Sequence, residues 1–199
     1  MRVSYIFTLC FFSVFCFSQK DKIEDLKKLG RDSLIKIAVA KINEPGFDPK
    51  NYDRVDVKYN DKSLIVDFKL AIKFAGNSSC FYDAVYVALV GQGSGKSIQG
   101  FCDEPKFHKR TKAEQKKIDF VFDAINKDNE IGDVKDKKMP RGQTMQITEK
   151  ITYYYIEVSD WSTYSHYKID KVTGKISEAN HKHYARDGEE KEEYQYIAN

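Results

Sequence analysis

The residues of this 199-residue chain that could do chemistry fall into a few groups, and spacing decides what each is fit for. The most suggestive is "GQGSGKS", residues 91–97, which has the glycines and the Lys-Ser pair of a phosphate cradle. A phosphate-binding loop needs G-x-x-x-x-G-K-[ST], so that enough backbone N–H groups wrap the phosphates before the lysine reaches them. With Gly95 as the second glycine, the first would fall at position 90, where Val90 stands. The segment that follows, "SIQGFCDEPKF", holds Gly100 and Pro105 and has no helical apolar period, so no helix N-terminus is there to face phosphates. That spacing argues against nucleotide chemistry at Lys96. The glycines read instead as a turn that lays "CFYDAVYVALV" beside "KSIQGFC".

The four histidines are His108, His166, His181 and His183. "HKH" places His181 and His183 on one face of a strand, as a metal pair requires. A three-residue loop with Lys171 opposite Lys175 would pair His181 with Ser165 and His183 with Thr163, and would turn His166 to the other face. A third ligand is then missing, and no metal ligand and no cofactor are assigned. Ser94 lies in G-S-G rather than G-x-S-x-G, and no histidine has a local partner that marks a triad, so no catalytic residue is assigned either.

The first eighteen residues carry one charge, Arg2, and an apolar run from Val3 to Phe17 that is too short for a comfortable membrane span. Residues 1–18 read as a signal peptide, which places the mature chain in the periplasm or outside the cell, with no membrane span left after cleavage. Cys10 and Cys16 leave with the leader. Cys80 and Cys102 remain, and in an exported chain an even pair reads as a disulfide, two buried thiols being the alternative. "NSS" at residues 77–79 is a glycosylation acceptor only in a eukaryotic secretory route, which the leader disfavours.

Without Arg2 the chain has 32 basic and 30 acidic residues, a net charge near +2, mixed along its length. No basic stripe or basic-aromatic module is present, so a nucleic-acid partner is not expected, and "KDKK" at residues 135–138 reads as a solvated loop. The compositional anomaly is aromatic. Tyr153, Tyr154, Tyr155, Trp161, Tyr164 and Tyr167 crowd one short run, with Tyr154 facing away from Tyr153 and Tyr155. Rings covering a sheet are one reading; a surface for a protein, peptide or glycan in the cell envelope, built on Tyr153, Tyr155, Trp161, Tyr164 and Tyr167, is the other.

The elements that must position these residues follow from periodicity. A lead helix fits residues 21–29, and Ser33 can cap "LIKIAVAKI" until Pro45 and Gly46 stop it. "RVDVKY" alternates, and "LIVDFKLAIKF" does so through one amphipathic strand, with Leu64, Val66, Phe68, Leu70, Ile72 and Phe74 opposite Asp67, Lys69 and Lys73. Thr111 and Glu114 form a capping box before "QKKIDFVFDAI", whose Ile118, Val121, Phe122 and Ile125 recur at helical spacing. "TMQITEKITYYYIEV", "TYSHYKID" and "ISEANHKHYA" are strands, the last two joined by a turn with Gly174 in its left-handed position. The fold class is therefore α+β: two or three helices packed on an antiparallel β-meander sheet, expected as one domain over residues 19–199 with a possible division into 19–105 and 106–199.

The helix ending near "INEPGF" and the late "YYYIEVSDWSTYSHYKIDKVTGKISE", above all its "YKIDKVTGKI", resemble the helix-plus-meander modules of secreted bacterial proteins, the PepSY and cystatin-like group. The cystatin protease-binding signature is absent, since there is no Q-x-V-x-G and no Pro-Trp pair. What the resemblance implies is a non-catalytic binding or inhibitory module. Three functions are carried forward: an exported binding or accessory module, a periplasmic immunity or inhibitor protein against a toxin or hydrolase, and a hydrolase whose site is invisible in sequence.

Overall fold

Two helix-then-meander units follow one another along the chain, and each gives one strand to the other's sheet. The computed structural model describes residues 19–75, 80–91, 93–98, 103–127, 139–160, 163–183 and 195–197. The first unit has helices α1 (residues 19–27) and α2 (Arg31–Ile42), then β1 (Arg54–Tyr59), β2 (Leu64–Lys69), β3 (Ile72–Phe74), β4 (Tyr82–Val90) and β5 (Gly95–Ile98). The second has α3 (Lys112–Lys127), then β6 (Thr144–Glu149), β7 (Tyr153–Ser159), β8 (Thr163–Asp170), β9 (Ile176–His183) and β10 (Gln195–Tyr196). The fold is α+β, as its periodicity leads one to expect. The first sheet runs β10-β1-β2-β4-β5 and the second β3-β6-β7-β8-β9, antiparallel except where β3 lies parallel to β6.

Alternation builds the inner face of each sheet. Val57, Val66, Phe68, Val85 and Val87 close over Leu34 and Ala38 of α2 and Ile23 of α1, forming one core. Ile118, Val121, Phe122 and Ile125 of α3 close over Met145, Ile147, Ile156 and Ile169, forming a second. The capping box forms as expected: Thr111 N–H donates to Glu114 Oε2 at 2.7 Å, and Glu114 N–H donates to Thr111 Oγ1 at 3.1 Å. Helix α2 differs from expectation. It begins two residues before Ser33, with Gly30 as its cap residue at φ 75° and no side-chain cap, because the end of α1 already turns the chain there.

The single strand expected over "LIVDFKLAIKF" is two strands in two sheets. Alternation continues across the break, so the polarity pattern does not reveal it: Leu64, Val66, Phe68 and Leu70 enter the first core, while Ile72 and Phe74 enter the second. Hydrogen bonds make the switch. Leu70 N–H donates to Asp83 O at 2.9 Å, Met145 N–H donates to Ala71 O at 2.7 Å, and Asp53 Oδ2 accepts the Ile72 N–H at 2.9 Å. Arg110 then clasps the junction, donating to Asp53 Oδ1 at 2.6 Å and to the Ile72 carbonyl at 3.1 Å. Burial pushes the Asp53 carboxyl above its ordinary value despite the Arg110 charge. Beside the clasp His108 lies edge-on to Phe81, ring centroids 4.9 Å apart, and burial holds its pKa below the usual histidine value.

The last hairpin has the expected register, His181 opposite Ser165 and His183 opposite Thr163. Near the turn it departs: the register shifts between Lys168 and Ile169, and Asp170 rather than Lys171 meets Lys175 through its N–H. The Asp170 carboxylate accepts N–H bonds from Val172 and Thr173, which hold it below the usual carboxylate range and make the longer turn the better satisfied one. Gly174 sits at φ 69°, the left-handed conformation the turn requires.

Candidate functional site

Each sheet has an outer face, turned away from its helix, and the two faces are chemically unlike. On the second sheet, Tyr153, Tyr155 and Glu157 of β7 stand beside Tyr164, His166 and Lys168 of β8. The His166 ring lies 5.7 Å from that of Tyr155 and 6.1 Å from that of Tyr164, centroid to centroid. The Tyr164 hydroxyl donates to Glu157 Oε1, and Gln146 Nε2 donates to the other carboxylate oxygen at 3.2 Å. The Glu157 bond, then burial, raises the Tyr164 pKa far above that of a free phenol, so this hydroxyl keeps its proton. Lys168 stands 5.6 Å from the Tyr153 ring centroid and pairs with Glu178 at 2.8 Å. The result is a half-buried array of rings, with Tyr164 pinned by its hydrogen bond to Glu157.

Of the five aromatic residues expected to bind a partner, three are brought together here: Tyr153, Tyr155 and Tyr164. Tyr167 is not among them. It lies on the inner parity of β8 and packs against the second core, which also buries Tyr154. Trp161 lies outside the described residues, as does Cys102. Cys80 is described just before β4.

The outer face of the first sheet holds charge. Cross-strand pairing makes one row of Asp56, Asp67, Tyr86 and Gly95 on β1, β2, β4 and β5. Two carboxylates directly opposite each other repel, and both are buried, at 8% and 3% exposure. Asp56 is neutralised on both oxygens, by Arg54 Nε at 3.1 Å and Arg141 Nε at 3.2 Å. Asp67 is held on Oδ2 alone, by Lys58 at 3.3 Å and Lys69 at 3.0 Å, and its Oδ1 has no hydrogen-bond partner within the protein. The Tyr86 ring lies across Gly95 so closely that a Cβ there would meet its hydroxyl oxygen at 2.6 Å.

These residues floor an open cleft of roughly 630 Å³, whose far wall brings Lys73 of β3 and Thr144 of β6 from the second sheet. A register shift between Tyr82 and Ala84 aims Asp83 into the same cleft, a usual effect of a bulge. Lys73 Nζ meets Asp83 Oδ2 at 2.9 Å. Burial works to raise the Asp83 carboxyl, but bonds to Lys73 and Ser97 outweigh it and hold the group below its ordinary value. Asp83 Oδ1 is also buried without a well-formed bond, although the Ser97 hydroxyl stands near that carboxylate. None of this was visible in sequence, where Asp67, Lys69 and Lys73 read only as the side of the strand opposite its apolar residues. The only available signal was an aspartate inside a strand of high apolar content.

The other chemistry-bearing residues are placed apart. Ser94 Oγ accepts the Ala88 N–H at 2.8 Å inside the β4–β5 hairpin. Lys96, in strand β5, pairs with Glu44 at 2.5 Å and lies 4.7 Å from the Tyr82 ring centroid, with no helix beginning at it. Among the described residues no group of three or more His, Cys, Asp or Glu side chains is arranged to hold a metal ion. No described helix is long and apolar enough to cross a membrane. Comparison of the chain with family models, curated proteins and solved structures finds no match.

Proposed function

We propose that the chain is an exported, non-catalytic binding module of the bacterial envelope, recognising a protein, peptide or glycan partner through the outer surface of its sheets. The observation that carries this reading is that Tyr153, Tyr155 and Tyr164 stand together, half-buried, on the outer face of the second sheet, beside His166 and Lys168. Rings with a polar edge, half-buried and rigid, are the residues enriched where proteins grip partners.

Export and a Cys80–Cys102 disulfide belong to the same proposal. Cys80 is not a free thiol, and Cys102 is the only other cysteine once the leader is removed. Capture from envelope extract by the mature chain tests the reading. Tyr155→Ala and Tyr164→Ala should abolish capture with little change in melting temperature. Equal capture by the variants, or turnover of the captured ligand, would reject a non-catalytic module that binds through this face.

A further inference from the structure

Two hairpin turns at one end of the second sheet each carry an aliphatic side chain into water. Ile151, between β6 and β7, is 95% exposed and Val172, between β8 and β9, is 90% exposed, whereas no other large apolar side chain among the described residues exceeds 50%. The two turns are neighbours. Tyr153 pairs with Asp170 at the start of the β7–β8 ladder, and one step beyond it the Lys171 N–H donates to the Thr152 carbonyl at 3.0 Å, so Ile151 and Val172 come next on the two turns. The fold does not account for either residue. Exposed turns favour Gly, Asn, Asp and Ser, β-branched aliphatics suit strands, and side chains this exposed contribute almost no burial.

The polar groups around them are engaged within the protein. The Asp170 carboxylate accepts the Val172 and Thr173 N–H bonds, Gly174 N–H donates to the Asp170 carbonyl at 2.9 Å, and Lys150 N–H donates to the Tyr153 carbonyl at 2.9 Å. These backbone groups therefore lose little if the tips leave water. Charge at this end is one-sided. Glu149 is paired with Lys117 and, at 2.7 Å, with Lys171. Lys150 and Lys175, both exposed, flank the tips and have no ion pair among the described residues.

A projecting pair of aliphatics flanked by lysines suits a bilayer better than a folded protein. Protein interfaces bury a broad surface around aromatic and arginine anchors seated in pockets, and two side chains on separate turns supply neither. A lipid surface has no shape to match. Aliphatic side chains enter the boundary of the acyl region while lysines stay among the headgroups, where anionic lipids attract them. We propose that this end of the second sheet docks on an anionic phospholipid bilayer, with Ile151 and Val172 inserted shallowly and Lys150 and Lys175 at headgroup level. The contact is peripheral, and it is separate from the tyrosine face.

The test is co-sedimentation of the chain of residues 19–199 with vesicles of equal parts phosphatidylglycerol and phosphatidylcholine, compared with vesicles of phosphatidylcholine alone. The chain should bind the anionic vesicles at about 1 mM lipid or below, and bind weakly to neutral vesicles and in high salt. Ile151→Ser combined with Val172→Ser should weaken binding about tenfold or more, and Lys150→Gln combined with Lys175→Gln about as much. All four positions are exposed, so the melting temperature should stay that of the parent. Ile151→Trp reads insertion: brominated lipid should quench its fluorescence more than that of the parent, whose single tryptophan is Trp161. The proposal fails if the parent does not bind anionic vesicles, if the double serine variant binds as the parent does, or if Ile151→Trp adds no quenching. Equal binding to neutral vesicles would overturn the assignment to anionic lipid. Binding lost in Tyr155→Ala and Tyr164→Ala but kept in the double serine variant would overturn the tip and give the contact to the tyrosine face.

Discussion

On the first sheet the outer face buries Asp56 and Asp67 among arginines and lysines; on the second it carries Tyr153, Tyr155 and Tyr164 around His166. The inner faces, by contrast, are built alike, from apolar side chains closing over helices: α1 and α2 on the first sheet, α3 on the second. Fold is therefore specified on one side of each sheet, and the two outer sides are free to diverge in chemistry. Divergence has a cost only on the first sheet, where charges leave water and must be matched by partners. On the tyrosine face Tyr164 is held by a hydrogen bond to Glu157 and Lys168 by an ion pair with Glu178 whose carboxylate is half exposed, so this face should tolerate change better.

The sharpest challenge to this comparison is whether the two cores are energetically one. Phe68→Ala in the first and Phe122→Ala in the second should each cost about 3–5 kcal/mol, as large-to-small changes at fully buried positions do. Because β3 and β10 cross between the sheets, either change should lower amide protection in both units by hydrogen exchange. Protection lost in one unit alone would show that the exchange does not couple them. Arg110→Ala comes next. It leaves the Asp53 carboxylate buried without its partner and should cost about 3 kcal/mol in chemical denaturation, with Asp53→Asn in the same background recovering part of the loss.

Gly174→Val should destabilise by about 1–3 kcal/mol, because φ is 69° there while the space around the absent Cβ is ordinary, Phe120 lying 3.8 Å away. A loss well below that would mean the turn can relax, and the second sheet would then be the more forgiving of the two at its hairpin as well as its face.

The smallest effect is a pH dependence. The folded His108 pKa lies below its usual 6.5, so its contribution is present above about pH 6.5 and is lost as pH falls through the folded value. Glu114 and Asp83, both held low, add losses of the same sign below about 4.5 and 3.8. Asp53, held high, acts oppositely: its contribution is present below about 3.8 and is lost as pH rises through the folded value. Melting temperature should therefore fall between pH 7 and pH 5, and His108→Gln should flatten that interval while keeping the steeper loss below it. An unchanged profile in the variant would remove His108 from the account.

Much of this fold was legible because local signals agreed with tertiary ones. The capping box at Thr111, the stripe through Ile125 and the pairing of His181 with Ser165 all follow from spacing alone, and all are present. The break at Leu70 was not legible, since a strand that changes sheets without changing parity keeps the same alternation. The cleft was missed for a related reason. Alternation assigns Asp67 to the face without apolar residues, and only its neighbours across the sheet, Asp56 and Lys58 of β1 and Tyr86 of β4, decide that this face is covered. Tyr167 was mistaken for a surface residue because it was grouped with its neighbours by aromatic content; its parity, opposite to that of Tyr164, was the signal to use.

The strand exchange also bears on what a cut chain would do. A single break between β5 and α3 leaves an amino-terminal fragment that owns β3, an edge of the other fragment's sheet, and a carboxy-terminal fragment that owns β10, an edge of the first. Neither piece carries a complete sheet of its own, and each exposes an unpaired edge where its missing strand belongs. The pieces are thus complementary reagents. Mixed, they should seek each other through two mutual strand additions, which makes this topology a natural split-protein scaffold and a poor source of separable halves.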